Sequence, residues 1–208
     1  MFVKVCGITR LTDALHASRH GATALGFVFW PRSPRFVAPE AAAEIVAALP
    51  STVMAIGVFV NEPLEGIRAV AGQVRLSAVQ LHGDEPPAYA DALPWPILRS
   101  VTLASSTAAC AAWSPETTLL VDAADPARRG GTGTTVDWAK AALLAKRRRI
   151  VLAGGLTPAN VADAVATVQP YGVDVSSGVE EAPGVKDFDK VARFLRQARE
   201  AFAERPER

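Results

Sequence analysis

The sequence predicts an α/β fold built around a parallel sheet, and two observations support this. Short apolar runs alternate with helical patterns along all 208 residues. The runs are rich in Val, Ile, Leu and Phe, and most lack the apolar–polar alternation of a sheet with one face in water. Strands of this kind are buried on both faces, as in parallel sheets that are covered by helices.

About eight strand–helix units follow one another without a break in composition. This number favours a single closed (β/α)8 barrel, or TIM barrel, with eight parallel strands and an active site at the C-terminal rim. The chain is near the lower size limit of that fold, which is about 200 residues. An open doubly wound sheet is the alternative architecture.

The predicted strands are the apolar runs themselves, which are short and bounded by turn-forming residues. In chain order they are Phe2–Val5, Ala24–Phe29, Val53–Val60, Ala78–Leu81, Ile97–Val101, Thr118–Val121, Arg149–Leu152 and Gly172–Val175.

The predicted helices follow the strands, because apolar residues recur there at helical spacing. Pro39 suits a first helical turn, and Pro86 or Pro87 opens a later helix in the same way. The remaining helical patterns are Leu11–Arg19, Leu64–Ala71, Ser105–Ala112, Asp137–Ala145, Pro158–Val168 and Phe188–Ala203.

The chain is predicted to form one barrel domain over residues 1–203, with 204–208 as a frayed tail. Two connections, Ala123–Val136 and Ser176–Asp187, are longer than passive loops usually are. Both follow strands, so a barrel places them together at the C-terminal rim, where active sites form.

The composition excludes several classes of partner. Half of the residues are hydrophobic, 21% are charged, and the formal net charge is +1, which gives no reason to expect nucleic acid or an anionic membrane. The one basic run, Lys146–Arg149, follows a helix and is interpreted as a solvated helix end. No apolar run reaches the roughly 18 residues of a membrane span, and no leader pattern is visible, so a cytoplasmic protein is predicted. The two cysteines, Cys6 and Cys110, form neither a disulfide framework nor a metal-binding cluster.

Two glycine-containing loops predict a phosphate site. In LAGGLTPANV, Gly154 and Gly155 separate a strand from a helix, which lets an anion approach the backbone amides. In DVSSGVE, Ser176, Ser177 and Gly178 follow the last strand and supply small or hydroxylated residues. The loops after strands seven and eight often bind phosphate together in this fold.

A proline-braced stretch, GFVFWPRSPRFV, carries Arg32 and Arg35 directly after the second strand. A guanidinium held in this way can bind a carboxylate through two parallel hydrogen bonds. One of the two arginines is predicted to bind a ligand, and position alone does not choose between them.

Cys6 and Asp122 end the first and the sixth predicted strands, which are nearly opposite in a ring of eight. Both side chains can therefore face one pocket, as a base and an acid for a proton-shift isomerisation. A buried, inert cysteine and an aspartate that caps a turn are the alternatives. Gln80 and His82 flank Leu81 and share one face of a strand, so they line the same pocket if that face points inward.

The chain resembles phosphoribosylanthranilate isomerase nearly from end to end. The motifs that carry the resemblance are KVCGIT, GFVFWPRSPRFV, IGVFVN, VQLHG, LVDA, GGTGTTVDW, LAGGLTPANV and VDVSSGVEEAPGVKD, in the family's order and approximate spacing.

The resemblance implies a barrel without cofactor or metal that acts on a phosphorylated small molecule in tryptophan biosynthesis. It implies an Amadori rearrangement of N-(5′-phosphoribosyl)anthranilate with Cys6 as general base and Asp122 as general acid. It further implies that Arg35 faces the anthranilate carboxylate and that the two glycine-containing loops hold the phosphate through Gly154, Gly155, Ser176, Ser177 and Gly178.

One position departs from the family pattern. Many relatives have Lys or Arg directly after GGTG, where this chain has Thr134, so Arg128 or Arg129 is expected to replace that cation. The histidine-pathway isomerase is the nearest alternative, but it uses aspartates as both acid and base, so Cys6 argues against it. A non-catalytic phosphate binder would need the loops but neither Cys6 nor Asp122. Both a monomer and a homodimer are compatible with the sequence.

Overall fold

The computed structural model describes residues 1–123 and 136–205, which form a closed eight-stranded parallel barrel. Each strand pairs with the next in chain order, and the last pairs with the first. The predicted barrel is therefore confirmed, and the open sheet is wrong. The strands are β1 (Phe2–Cys6), β2 (Ala24–Val28), β3 (Met54–Phe59), β4 (Ala78–Leu81), β5 (Ile97–Val101), β6 (Thr118–Val121), β7 (Ile150–Leu152) and β8 (Gly172–Val175).

A helix follows each barrel strand, as the alternating pattern predicts. The helices are α1 (Leu11–Arg19), α2 (Pro39–Ala47), α3 (Leu64–Val74), α4 (Ala88–Ala92), α5 (Ser106–Ala112), α6 (Trp138–Ala145), α7 (Val161–Val168) and α8 (Phe188–Ala203). Among them, no described helix is long and apolar enough to cross a membrane.

The strands divide their side chains between two apolar layers. Val3 and Val5 of β1 point outward into the layer between sheet and helices. Phe2 points inward and belongs to the apolar floor of the barrel. The other members of this floor come from the strands around the ring: Ala24, Ile56, Ala78, Leu98, Leu120, Val151 and Ala153. Because successive side chains alternate, the residues two and four positions after Phe2 also point inward, above this floor.

The connection 176–187 is more ordered than the predicted loop. It contains one short 3₁₀ turn (Ser177–Val179) and a hairpin of β9 (Glu180–Ala182) and β10 (Val185–Lys186). Gly184 adopts φ 81° in the turn between the two strands. A sequence such as Glu-Glu-Ala has no strand signature, so nothing in its pattern predicted the hairpin. The hairpin folds back over the end of β1, where it completes the rim.

The other predicted rim connection and the predicted tail fall largely outside the described residues. Residues 124–135 include Arg128, Arg129 and Thr134. The expectation that Arg128 or Arg129 supplies the cation absent at Thr134 therefore stays a prediction. Of the predicted tail, only Glu204 and Arg205 lie within the described range, and the division into domain and tail also stays a prediction.

Two glycines give a matched test of the packing inside the barrel. A Cβ at Gly26 on β2 would lie 2.7 Å from Cys6 Sγ and 3.0 Å from both Cε and Nζ of Lys4. We expect Gly26→Ala to lower the free energy of unfolding by about 1–3 kcal/mol, because the closed barrel cannot make room. A Cβ at Gly72 on α3 would have no atom within 4 Å beyond its own helix backbone. Gly72→Ala should therefore raise the free energy of unfolding by roughly 0.5–1 kcal/mol. Urea titration measures both, and equal stability of Gly26→Ala and the parent would contradict the packing argument.

Candidate active site

The thiol of Cys6 lies at the top of the barrel interior, and its side chain is buried. It follows Lys4 on the inward face of β1, and Gly26 of the adjacent strand faces both. Burial raises the pKa of the Cys6 thiol above its ordinary value. The ammonium of Lys4 and, more weakly, that of Lys186 oppose this shift, and the carboxylate of Asp174 adds to it.

Asp122 follows β6 directly and lies on the other side of the same interior. Its Oδ1 accepts a hydrogen bond of 2.8 Å from the backbone N–H of Ala123, and its Oδ2 is 3.8 Å from His82 Nε2. Burial raises the pKa of this carboxyl from 3.8 to about 6, against the hydrogen bond from Ala123. Asp122 is therefore a carboxyl that can hold a proton near neutral pH, as a general acid requires.

Gln80 and His82 share the inward face of β4, as predicted from their spacing around Leu81. Gln80 is 1% exposed, and its amide Nε2 donates to His82 Nδ1 at 2.9 Å. The other ring nitrogen, Nε2, faces Asp122 and lies 3.4 Å from Ser100 Oγ. Gln80 thus fixes the orientation of the histidine ring next to the candidate acid.

The structure distinguishes the two arginines of the proline-braced stretch. Arg32 is exposed, whereas Arg35 is partly buried and forms a bidentate ion pair with Glu180 of β9. Its Nε donates to Oε1 at 2.9 Å and its Nη2 to Oε2 at 2.7 Å. The Arg35 side chain also passes over Gly7, the residue after Cys6, and close to Ser176. Only Arg35 therefore lies beside both the thiol and a predicted phosphate loop.

Lys186 of β10 ties the hairpin to the barrel. Its buried Nζ donates to the carbonyl oxygens of Cys6 (2.6 Å) and Ser176 (3.4 Å) and to Glu180 Oε1 (2.8 Å). Glu180 thus lies between two cations, Lys186 and Arg35. Although burial raises its pKa, the hydrogen bond from Arg35 and the charge of Lys186 outweigh that effect, so the pKa of Glu180 is below its ordinary value.

The two predicted phosphate loops are in contact at the rim. A Cβ at Gly178 would collide with the carbonyl oxygen of Leu156, so only glycine allows the second loop to pack against the first. Gly154 and Gly155 adopt φ 76° and 67°, the left-handed region that favours glycine. A Cβ at Gly154 would also lie 2.7 Å from the backbone nitrogen of Ala123, so this loop also packs against the end of β6.

The backbone of the first loop is fixed by Asn160. Its Oδ1 accepts from the N–H of Thr157 (2.8 Å), and its Nδ2 donates to the carbonyl of Gly155 (2.9 Å). Ser176 and Ser177 stand in the second loop, both partly exposed. The arrangement brings the five predicted phosphate-binding residues to one part of the rim.

Four charged residues at this site were not predicted from the sequence: Lys4, Asp174, Glu180 and Lys186. Lys4 and Asp174 each interrupt an otherwise apolar strand, which is a visible signal, since a charge inside a doubly buried strand needs a partner. Glu180 and Lys186 belong to the hairpin that the sequence pattern did not predict.

Comparisons with known proteins identify the family of the chain. A sequence model of the family described as N-(5′-phosphoribosyl)anthranilate (PRA) isomerase matches residues 3–197. The chain belongs to this family. The PRA isomerase of Citrifermentans bemidjiense is 50% identical over 199 residues, which are 95% of this chain and 96% of the relative. The predicted family and the predicted enzyme class, an isomerase, are thereby confirmed.

Solved structures of the PRA isomerase family superpose on the whole barrel. The enzyme of Thermotoga maritima has a TM-score of 0.88 and 42% identity, covering 96% of this chain and 99% of its own. A PRA isomerase in complex with reduced 1-(o-carboxyphenylamino)-1-deoxyribulose 5-phosphate has a TM-score of 0.85 and 40% identity at the same coverage. A third structure, with 40% identity and a TM-score of 0.85 at that coverage, is of monomers generated from the dimeric enzyme of T. maritima.

The raised pKa of Asp122 predicts a pH-dependent stability difference. In the unfolded chain the carboxyl titrates near its ordinary pKa of about 3.9, and in the folded chain near about 6. The folded state therefore binds more protons in this window, and ionisation of Asp122 lowers the stability as the pH rises through it. We expect Asp122→Asn to be more stable than the parent by about 1–3 kcal/mol above pH ~6.5, and by little at pH ~4. Chemical unfolding at both pH values tests this, and a difference independent of pH would contradict it.

Proposed function

We propose that the chain converts N-(5′-phosphoribosyl)anthranilate into 1-(2-carboxyphenylamino)-1-deoxyribulose 5-phosphate, a step of tryptophan biosynthesis. The observation that carries the proposal is a thiol and a carboxyl on two distant strands of one closed barrel, Cys6 on β1 and Asp122 after β6. A guanidinium and two glycine-containing loops stand on the same rim. The relative that was crystallised with a reduced form of this product supports the choice of substrate.

The reaction is an Amadori rearrangement that needs one acid and one base. Asp122 donates a proton to the ribose ring oxygen, the C1′–O bond breaks, and the anthranilate nitrogen forms a protonated imine with C1′. The Cys6 thiolate then removes the proton from C2′, and the electron pair moves toward the imine nitrogen to give an enolamine. Proton transfer to C1′, together with loss of the C2′ hydroxyl proton, yields the ketone. The imine nitrogen of the substrate itself accepts the electrons, so the reaction in this form uses no electron sink from the protein.

The opposite ends of the substrate give the protein two anions to bind. Arg35 is proposed to bind the anthranilate carboxylate, and Glu180 supports this because it holds the guanidinium through Nε and Nη2. The ordering of Arg35 is thereby completed before the ligand arrives. Gly154, Gly155, Ser176, Ser177 and Gly178 are proposed to bind the phosphate. Binding at both ends spends remote binding energy on the orientation of C2′ toward the thiol.

Gln80 and His82 are proposed to face the substrate from β4. The Nε2 of His82 lies beside Asp122, where it can hydrogen-bond a ligand hydroxyl or the ring oxygen. Gln80 Oε1 is a buried acceptor without a hydrogen-bond partner among the described residues, and it is a second group for a ligand hydroxyl.

The oligomeric state and the cellular location stay predictions. A T. maritima relative is dimeric, and monomers have been generated from it, so both predicted states occur for one family member. Light scattering of the purified chain distinguishes monomer from homodimer.

Removal of either proposed catalytic group tests the function. We expect Cys6→Ala and Asp122→Asn each to lower kcat by roughly 100-fold or more, the scale of general acid–base catalysis, with the barrel still folded. The loss of substrate fluorescence as anthranilate is modified measures turnover, and circular dichroism measures folding. Complementation of a bacterium that lacks the isomerase, on medium without tryptophan, tests the physiological reaction. Full turnover by both variants would remove the acid–base assignment, and absence of turnover by the parent would remove the function.

Arg35 and Arg32 give a matched pair for substrate binding. We expect Arg35→Ala to raise KM by roughly 10-fold or more, because the proposed charge contact between the guanidinium and the substrate carboxylate is lost. The same change should alter inorganic phosphate binding much less. Arg32→Ala should leave KM within about twofold, because Arg32 is exposed. Steady-state kinetics with phosphate as a competitive inhibitor measures both effects. Equal weakening of substrate and phosphate binding by Arg35→Ala would place this arginine elsewhere in the site.

A further inference from the structure

An ion pair lies inside the barrel below the candidate thiol. Lys4 is 0% exposed, and its Nζ donates to Asp174 Oδ1 at 3.0 Å. The two residues are direct register partners on β1 and β8, and both point inward. The proposed reaction gives neither of them a role. A buried pair of this kind is often no more stabilising than apolar side chains of the same volume, so its presence calls for a chemical explanation.

Because glycine has no side chain, Lys4 and the thiol of Cys6 can both lie against Gly26. The position that a Cβ would occupy there lies 2.7 Å from Cys6 Sγ and 3.0 Å from Lys4 Nζ. The sulfur and the ammonium nitrogen therefore border the same small space beside Gly26. Lys4 also stays charged, because attraction to Asp174 and Cys6 raises its pKa although burial alone would lower it.

We propose that Lys4 is a positioning residue whose ammonium stabilises the thiolate form of Cys6 relative to the thiol, while Asp174 fixes the ammonium in place. This inference rests on the proposed function, in which the thiolate is the base that removes the C2′ proton. No bond to Lys4 forms or breaks. Its contribution is a positive charge beside the sulfur, which lowers the free energy of the thiolate relative to the thiol.

The other charged groups around Cys6 are less suited to this role. Lys186 directs its Nζ at two carbonyl oxygens and at Glu180, which use its donors. Arg35 is paired with the same glutamate and is proposed to bind the substrate carboxylate. Asp174 repels a thiolate and so acts in the opposite direction. Lys4 has one carboxylate oxygen as its hydrogen-bond acceptor, which leaves ammonium donors for the sulfur.

The test is a titration of the Cys6 thiol in the ligand-free protein. The parent for this test carries Cys110→Ser, because Cys110 is partly exposed and would also react. The rate of alkylation by iodoacetamide is followed from pH 6 to 10, since only the thiolate reacts. We expect Lys4→Met to slow alkylation at pH 7.5 by about tenfold, equivalent to one unit of pKa. Asp174→Asn should accelerate alkylation. Loss of packing would not be expected to change the alkylation rate in opposite directions for the two partners of one ion pair.

A second comparison covers the case in which Lys4→Met leaves Asp174 buried without a partner and the protein does not fold. The double variant Lys4→Met/Asp174→Asn lacks both charges and differs from Asp174→Asn only in the ammonium. We expect its alkylation to be slower than that of Asp174→Asn by about tenfold. In catalysis, Lys4→Met should lower kcat/KM on the neutral plateau by a similar factor and leave KM nearly unchanged.

Identical alkylation profiles in the presence and absence of Lys4 would overturn the inference. This readout needs no substrate, so it separates the inference from the function on which it rests. A normal thiol titration together with absence of turnover by the parent would overturn the proposed function instead.

Discussion

One ammonium–carboxylate pair, Lys4 with Asp174, lies in the barrel interior below the candidate site, and the proposed ionisation of Cys6 depends on that pair. Both groups are removed from water, so each requires the other, and removal of one partner from a buried pair typically costs about 3–5 kcal/mol. The pair joins the first strand to the last, at the position where the sheet closes on itself. The pair therefore lies where β1 and β8 close the ring, and it places a charge next to the thiol.

At the rim above this pair, the buried charges are again paired with charges of opposite sign. Glu180 accepts hydrogen bonds from both Arg35 and Lys186, and Lys186 in turn holds the carbonyl of Cys6. The hairpin that carries Glu180 and Lys186 is thereby bound to the end of β1 through the ammonium of Lys186. Since neither cation needs to move to find its partner, the site is largely preorganised for an anionic ligand.

Most of the architecture could be predicted from the sequence, because the relevant signals are local. Runs such as Ile97–Val101 and Gly172–Val175 are the strands that the structure contains, since an apolar run bounded by turn residues has few other places in an α/β fold. The rule that strand ends meet at one rim was sufficient to bring Asp122, His82 and the two glycine-containing loops together.

The parts that could not be predicted depend on contacts between distant residues. The bidentate bond between Arg35 and Glu180 spans 145 positions, and no local pattern indicates it. The hairpin depends on its packing against β1 rather than on strand propensity, so Glu180–Ala182 carries no signature of a strand. Lys4 and Asp174 did break the apolar pattern of their strands, but their pairing follows only from the register of a closed barrel.

The two candidate catalytic groups share an unusual electrostatic state in the free protein. Burial pushes the pKa of Cys6 and of Asp122 upward, so each is favoured in the protonated form. The proposed reaction needs a protonated Asp122 and an ionised Cys6. Between the two pKa values, the fraction of molecules in this state is small and does not change with pH. The rate should therefore rise up to about pH 6 and then remain level into the alkaline range. In the proposed reaction, the protonated imine formed after ring opening brings a positive charge toward the sulfur, and together with the ammonium of Lys4 it would favour the thiolate at the step that requires it. The buried site thus disfavours the ionised base in the free protein, and the proposed intermediate supplies the charge that offsets this.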